Sequence, residues 1–170
     1  IDKLSFRKFQ FESKKDRNVI AIAPTGSGKT EASLIWASQK NDYDKIIYCL
    51  RTRVTSNAIY RRLACCFGNQ NCSVVHWNAL LYQKEIDNNY DTRKYLRDRT
   101  IFSNITVCTI DQLLTQGFNL GFWEVKSFHC RNARIIIDEI HLYSPYTLAL
   151  ILQTIKFLRE KLNARFFIMS

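Results

Sequence analysis

Two short stretches combine residue types and spacing suited to phosphate chemistry. The first is Ala23-Pro24-Thr25-Gly26-Ser27-Gly28-Lys29-Thr30. It follows the apolar run Val19-Ile20-Ala21-Ile22-Ala23 and opens a segment, 28–40, that reads as a helix. A glycine-rich turn between strand and helix lets backbone N–H groups, here those of Gly26, Gly28 and Lys29, close around a phosphate. The helix N-terminus adds its positive dipole end. Pro24, Thr25 and Ser27 complete the loop. Lys29 is placed to reach the β- and γ-phosphates, and Thr30 to offer its hydroxyl to Mg²⁺. The usual pattern opens on glycine; Ala23 stands there instead and is small enough to permit close approach. The second stretch is Ile135-Ile136-Ile137-Asp138-Glu139. A strand of three isoleucines carries Asp138 to the C-terminal end of a sheet, where α/β proteins bind ligands. Asp138 can hold Mg²⁺, and Glu139 can orient or deprotonate an attacking water. Together the two stretches imply hydrolysis of ATP or GTP.

Such residues need a sheet to bring them together. Apolar runs alternate with helical patterns along the whole chain. Val19–Ala23 is expected to be a strand buried on both faces. Further strands are expected at Lys45–Leu50, Ser73–His76, Ile105–Cys108, Arg134–Asp138 and Ala164–Met169, with helices at 28–40, 53–67, a short one from Ile110, and one capped by Ser144 with Pro145 at its first position. Residues 84–100 are polar and charged and read as a surface excursion, partly helical. Alternating strands and helices predict an α/β fold with a mostly parallel sheet and helices on both faces.

The composition fits one globular domain. The chain has 170 residues, 46% of them hydrophobic and 24% charged, with 5 Gly and 2 Pro. No apolar run reaches the ~18 residues a membrane span needs, and no secretory leader is visible, so a cytoplasmic protein without membrane contact is expected. The net charge of +10 favours a polyanionic partner. It is spread along the chain, so any nucleic-acid site has to be built by folding. The six cysteines contain no C-x-x-C. Cys65, Cys66, Cys72 and His76 are the one tight cluster, but neighbours on a helix point ~100° apart and share a zinc ion poorly. Buried reduced thiols are the expectation. The single Met is at position 169, which suggests a piece of a longer protein.

At this point the motifs resemble those of superfamily two helicases. Asp138-Glu139-Ile140-His141 looks like their motif II in its D-E-x-H form, and Ala23 to Glu31 is similar to motif I. Phe6-Arg7-Lys8-Phe9-Gln10 resembles the Q motif, whose glutamine reads the adenine edge; Gln10 therefore implies ATP rather than GTP. The resemblance implies the first of two RecA-like domains, with His141 coupling the ATP site to nucleic acid. Leu50-Arg51-Thr52-Arg53-Val54-Thr55-Ser56-Asn57-Ala58 and Val107-Cys108-Thr109-Ile110-Asp111-Gln112-Leu113-Leu114 are similar to segments of the CRISPR-associated helicase of type I interference systems. That family moves on single-stranded DNA and couples the movement to a metal-dependent HD nuclease.

By that resemblance Arg51, Thr52 and Arg53 leave the second strand toward DNA. Thr109 precedes a helix whose free N–H groups can hold a phosphate, and Asn57 and Gln112 add neutral hydrogen bonds. Trp77 and Trp123 read as core or loop anchors. The chain departs from the family in having no His-Asp dipeptide and in stopping at Ser170, where motif III would begin. The HD nuclease, the second RecA-like domain with its arginine finger, and a CRISPR effector complex are thus expected as partners. Two other readings stay open: a D-E-x-H helicase acting on RNA or branched DNA, and a nucleotide-binding adaptor without turnover. Intact Lys29, Asp138 and Glu139 weigh against the adaptor.

Overall fold

The computed structural model describes residues 8–14, 17–39, 44–87, 89–116 and 118–170. Phe6 and Arg7 of the Q-like stretch lie outside them. The elements run α1 (Lys8–Glu12), β1 (Val19–Ala21), α2 (Lys29–Ala37), β2 (Ile46–Leu50), α3 (Arg53–Phe67), β3 (Cys72–Val75), α4 (Ala79–Ile86), α5 (Thr92–Arg99), β4 (Ile105–Thr109), α6 (Ile110–Leu114), α7 (Trp123–Cys130), β5 (Arg134–Ile137), a 3₁₀ turn (Ile140–Leu142), α8 (Pro145–Leu162) and β6 (Arg165–Met169). The described strands form one six-stranded sheet in the order β1-β6-β5-β2-β4-β3, and every pairing is parallel. The expected α/β architecture with a parallel sheet is the one found.

Period-two alternation assigns each strand residue to one of two cores. On one face, Ile46, Tyr48 and Leu50 pack with Trp36 of α2 and Tyr60 and Leu63 of α3. On the other, Ile47, Cys49, Ile135 and Ile137 pack with Leu113 of α6, Cys130 of α7 and Ile151 and Leu158 of α8. Helices therefore cover both faces, and β2, β4 and β5 are buried along their whole length.

Local chemistry sets the helix ends. Thr52 caps α3 by accepting from the Thr55 amide at 3.2 Å. Ser144 caps α8 in the same way from Thr147 at 3.2 Å, with Pro145 following, and Asn163 closes that helix in the left-handed region at φ 54°. Asp91 caps α5 through the Lys94 amide at 2.8 Å. The described residues of 84–100 are mostly exposed and partly helical, as expected: they complete α4 and form α5, and Tyr90 donates to the buried Asp98 at 2.8 Å.

Several expectations need correction. β1 is not buried on both faces. It is a three-residue edge strand, with Ile20 72% and Ile22 82% exposed. Val19 and Ala21 pack toward α2, whereas Ile20, in register with Ile168, lies on the α8 face, where the covering layer stops short of the edge. The helix after the glycine-rich loop ends at Ala37 rather than 40. Helix α7 had no counterpart in the sequence reading. Cys49, Cys72, Cys108 and Cys130 are buried thiols, but Cys65 and Cys66 are exposed.

Candidate functional site

Because all strands are parallel, their C-terminal ends share one edge of the sheet. The loops 22–28, 51–52, 76–78 and 138–144 all emerge there. Strand β6 separates β1 from β5, so the glycine-rich loop and the Asp138-Glu139 pair face each other across one strand. Between them lies a cleft of about 430 Å³, lined by Thr25, Gly26, Gly28, Lys29, Thr30, Glu31, Arg62, Asp138, Glu139, His141 and Ser170.

The loop is shaped by its two glycines. Gly26 has φ 76° and Gly28 φ 90°, a region in which a side chain is strained. Gly28 is also the N-cap of α2. A Cβ there would lie 2.6 Å from Gln10 Nε2. Gln10 is buried beneath the loop and donates from Nε2 to the Gly28 carbonyl at 3.3 Å. It supports the loop and does not line the cleft. Lys29 Nζ donates to the Ala23 carbonyl across the loop, and the Ser27 amide donates to the Pro24 carbonyl at 3.2 Å. Pro24 and Thr25 form the exposed outer part of the turn.

Opposite, Asp138 is held by two donors. The Tyr48 hydroxyl reaches Oδ2 at 3.0 Å and the Glu139 amide reaches Oδ1 at 2.8 Å. Tyr48 is wholly buried on β2. Burial first, then the Asp138 charge, pushes its phenol well above the usual range, so it stays a donor. A hydrogen bond to a charged group is worth ~1.5–3 kcal/mol, enough to fix the carboxylate's orientation. Each carboxylate oxygen still has a lone pair for a cation. Glu139 adopts a left-handed conformation at φ 51°, rare for a side chain this bulky, and turns into the cleft. Beyond it, His141 Nδ1 and Ser170 Oγ lie 3.1 Å apart in a hydrogen bond. An Arg62–Glu31 ion pair joins α3 to α2 at the cleft wall.

The other predicted residues gather at the far side of the same edge. Arg51, Thr52 and Arg53 are exposed at the end of β2. Asn57 and Gln112, expected to add neutral hydrogen bonds, each have a partner within the protein. Asn57 Oδ1 bonds His76 Nε2 at 2.9 Å. Gln112 donates to Asp111 Oδ2 at 2.7 Å and accepts from Lys126 Nζ at 3.4 Å. Thr109 is buried, and the helix it precedes has five residues. Trp77 is not a core anchor: it is 72% exposed, with the Arg53 guanidinium 4.3 Å from its ring centroid.

Tyr48 and Arg62 escaped the sequence reading. The signal for Tyr48 was a lone phenol at an inward strand position otherwise filled by aliphatic side chains. Arg62 sits with two other exposed basic side chains of α3, Arg53 and Arg61, and had no local signal. Among the described residues no group of three or more His, Cys, Asp or Glu has a metal-binding arrangement, and no helix is long and apolar enough to cross a membrane.

Comparison with known proteins is consistent across sequence and fold. A family model described as DEAD/DEAH box helicase matches residues 7–170. The putative CRISPR-associated nuclease/helicase Cas3 of Methanocaldococcus jannaschii is 36% identical over 169 residues, covering 90% of this chain and 23% of that protein. The CRISPR-associated nuclease/helicase Cas3 of Methanothermobacter thermautotrophicus is 32% identical over 152 residues, covering 85% of this chain and 18% of that protein. The chain thus spans under a quarter of the length of these relatives. The crystal structure of T. fusca Cas3 superposes with a TM-score of 0.81 at 21% identity, over 96% of this chain and 20% of that one, and that protein has also been solved with ADP and with ATP. With the helicase model spanning nearly every residue and a parallel sheet that sets motif I against motif II, the chain belongs to the DEAD/DEAH box helicase family.

Proposed function

We propose that residues 1–170 are the first RecA-like lobe of an ATP-driven motor that moves along single-stranded DNA in type I CRISPR interference. The single observation that carries this reading is the cleft, in which Lys29, Thr30, Asp138 and Glu139 converge from β1, α2 and β5. The names of the M. jannaschii and M. thermautotrophicus relatives support the CRISPR assignment. A second RecA-like lobe, an HD nuclease and a CRISPR effector complex are the proposed partners, in the cytoplasm.

The roles follow from the geometry. Backbone N–H groups of Gly26, Gly28 and Lys29 receive the β-phosphate, and Lys29 leaves the Ala23 carbonyl to meet the β- and γ-phosphates. Gln10 favours adenine while holding the loop through Gly28. The hard oxygen donors Thr30 and Asp138 suit Mg²⁺, and Tyr48 and the Glu139 amide leave Asp138 oriented to hold it. When bound, Mg²⁺ neutralises charge on the phosphate oxygens. Glu139 accepts the proton of the attacking water. His141 and Ser170 lead from the cleft toward the DNA-facing edge. There Arg51, Thr52 and Arg53 contact phosphates, which positions a strand without reading its sequence. Thr109 packs behind them, and Asn57 and Gln112 hold this edge together.

Two variants test the reading. Lys29→Ala removes a point charge from the phosphates and should weaken ATP-analogue binding at least tenfold in calorimetric titration, with the fold intact because the loop is at the surface. Unchanged affinity contradicts the phosphate role. Arg51→Ala should weaken binding to all single-stranded sequences alike and lower the slope of log affinity against log salt by about 0.7. An unchanged slope removes Arg51 from the phosphate contacts.

A further inference from the structure

Among the described residues Trp77 is the largest of the strongly exposed apolar side chains, and it follows β3, the outermost strand, at the C-terminal edge of the sheet where Arg51 also emerges. The strand register fixes its level. Leu50 of β2 pairs with Thr109 of β4, and Cys108 of β4 pairs with Val75 of β3. Arg51, Thr109 and His76 therefore end three adjacent strands at nearly one height, and Trp77 stands one residue beyond.

The loop that carries Trp77 is built to present it. His76 is buried and pinned at both ring nitrogens. The Asn78 amide donates to Nδ1 at 3.2 Å, which leaves Nε2 to donate to Asn57 Oδ1 at 2.9 Å. The Ala79 amide donates back to the His76 carbonyl at 3.1 Å. With both neighbours tied down, the Trp77 side chain is held outward. Arg53 covers part of the ring at 4.3 Å, and Arg53 is itself one of the proposed phosphate contacts.

We propose that Trp77 is a stacking platform for one base of a single-stranded nucleic acid, with Arg53 bridging from the indole to the adjoining phosphate. Three features converge on this occupant. An indole face is a general surface for bases. The adjacent cation, which an apolar protein partner would not require, complements a phosphate. The position is in line with Arg51 and Thr109 on a sheet edge of a basic chain. This inference rests on the nucleic-acid reading above and adds to it a contact with a base rather than with the backbone.

The test uses the full-length protein with fluorescein-labelled oligothymidylate and a strand of equal length whose bases are replaced by abasic spacers. Anisotropy titrations give the affinity for each. The unchanged protein should prefer the base-bearing strand. Trp77→Ala should lower affinity for that strand roughly tenfold and leave the abasic affinity and the salt slope unchanged, and Trp77→Phe should restore most of the loss. Equal losses on both strands, or no loss on either, overturn the stacking role while leaving the nucleic-acid reading in place; the indole would then face another part of the protein. Failure of the unchanged protein to bind either strand overturns both.

Discussion

Glu139→Gln should leave Mg·ATP binding near that of the unchanged motor and reduce hydrolysis by a factor on the order of 10² or more. The substitution keeps the shape and volume of the side chain. The Glu139 amide, which anchors Asp138 Oδ1 at 2.8 Å, belongs to the backbone and is untouched. The left-handed conformation at φ 51° is imposed by the loop between β5 and the 3₁₀ turn, and a glutamine bears it as a glutamate does. Only the ability to take a proton from water is lost. Steady-state phosphate release, paired with titration of a non-hydrolysable analogue, separates the two effects. Full turnover in the variant assigns water activation to another residue.

Residues 1–170 assayed alone should bind ATP weakly and turn it over slower than the two-lobed protein by about 10³–10⁵-fold, the range an arginine finger supplies in phosphate-loop enzymes. The cleft is walled on one side by the glycine-rich loop and on the other by Asp138 and Glu139, and the Lys and Arg side chains that line it are Lys29 and Arg62. Arg62, the one guanidinium in the lining, is paired with Glu31. In the proposed two-lobed motor, closure of the second lobe is what would exclude water. Adding that lobe as a separate chain should restore turnover. Robust hydrolysis by residues 1–170 alone contradicts the two-lobe account.

Much of this site was legible because its chemistry is local. A phosphate loop needs its glycines, lysine and hydroxyl within eight positions, and Asp138-Glu139 needs only a buried strand before it. The aliphatic runs of β2, β4 and β5 announced buried strands because both faces are covered, and Ser144-Pro145 announced α8 because the cap is a property of neighbouring residues. What depended on long-range packing was not legible. Periodicity carries no pairing information, so nothing in the chain placed β6 between β1 and β5. The run Val19–Ala23 is as apolar as a central strand, yet it lies at an edge where Ile20 and Ile22 meet solvent. Helix α7 has eight residues, too short a window for its pattern to stand out. The bond from Tyr48 to Asp138 spans 90 positions in sequence. Asn57 and Gln112 carried chemistry suited to nucleic acid, but nothing in the chain announced that His76 and Lys126 would meet their side-chain oxygens.

The central claim is that this lobe converts ATP hydrolysis into movement on single-stranded DNA. Its most direct measurement is steady-state ATP hydrolysis by the full-length protein with single-stranded DNA, single-stranded RNA or neither. The account predicts slow hydrolysis without nucleic acid, strong stimulation by DNA and little by RNA. Equal rates in all three conditions, or RNA as the better activator, would contradict it.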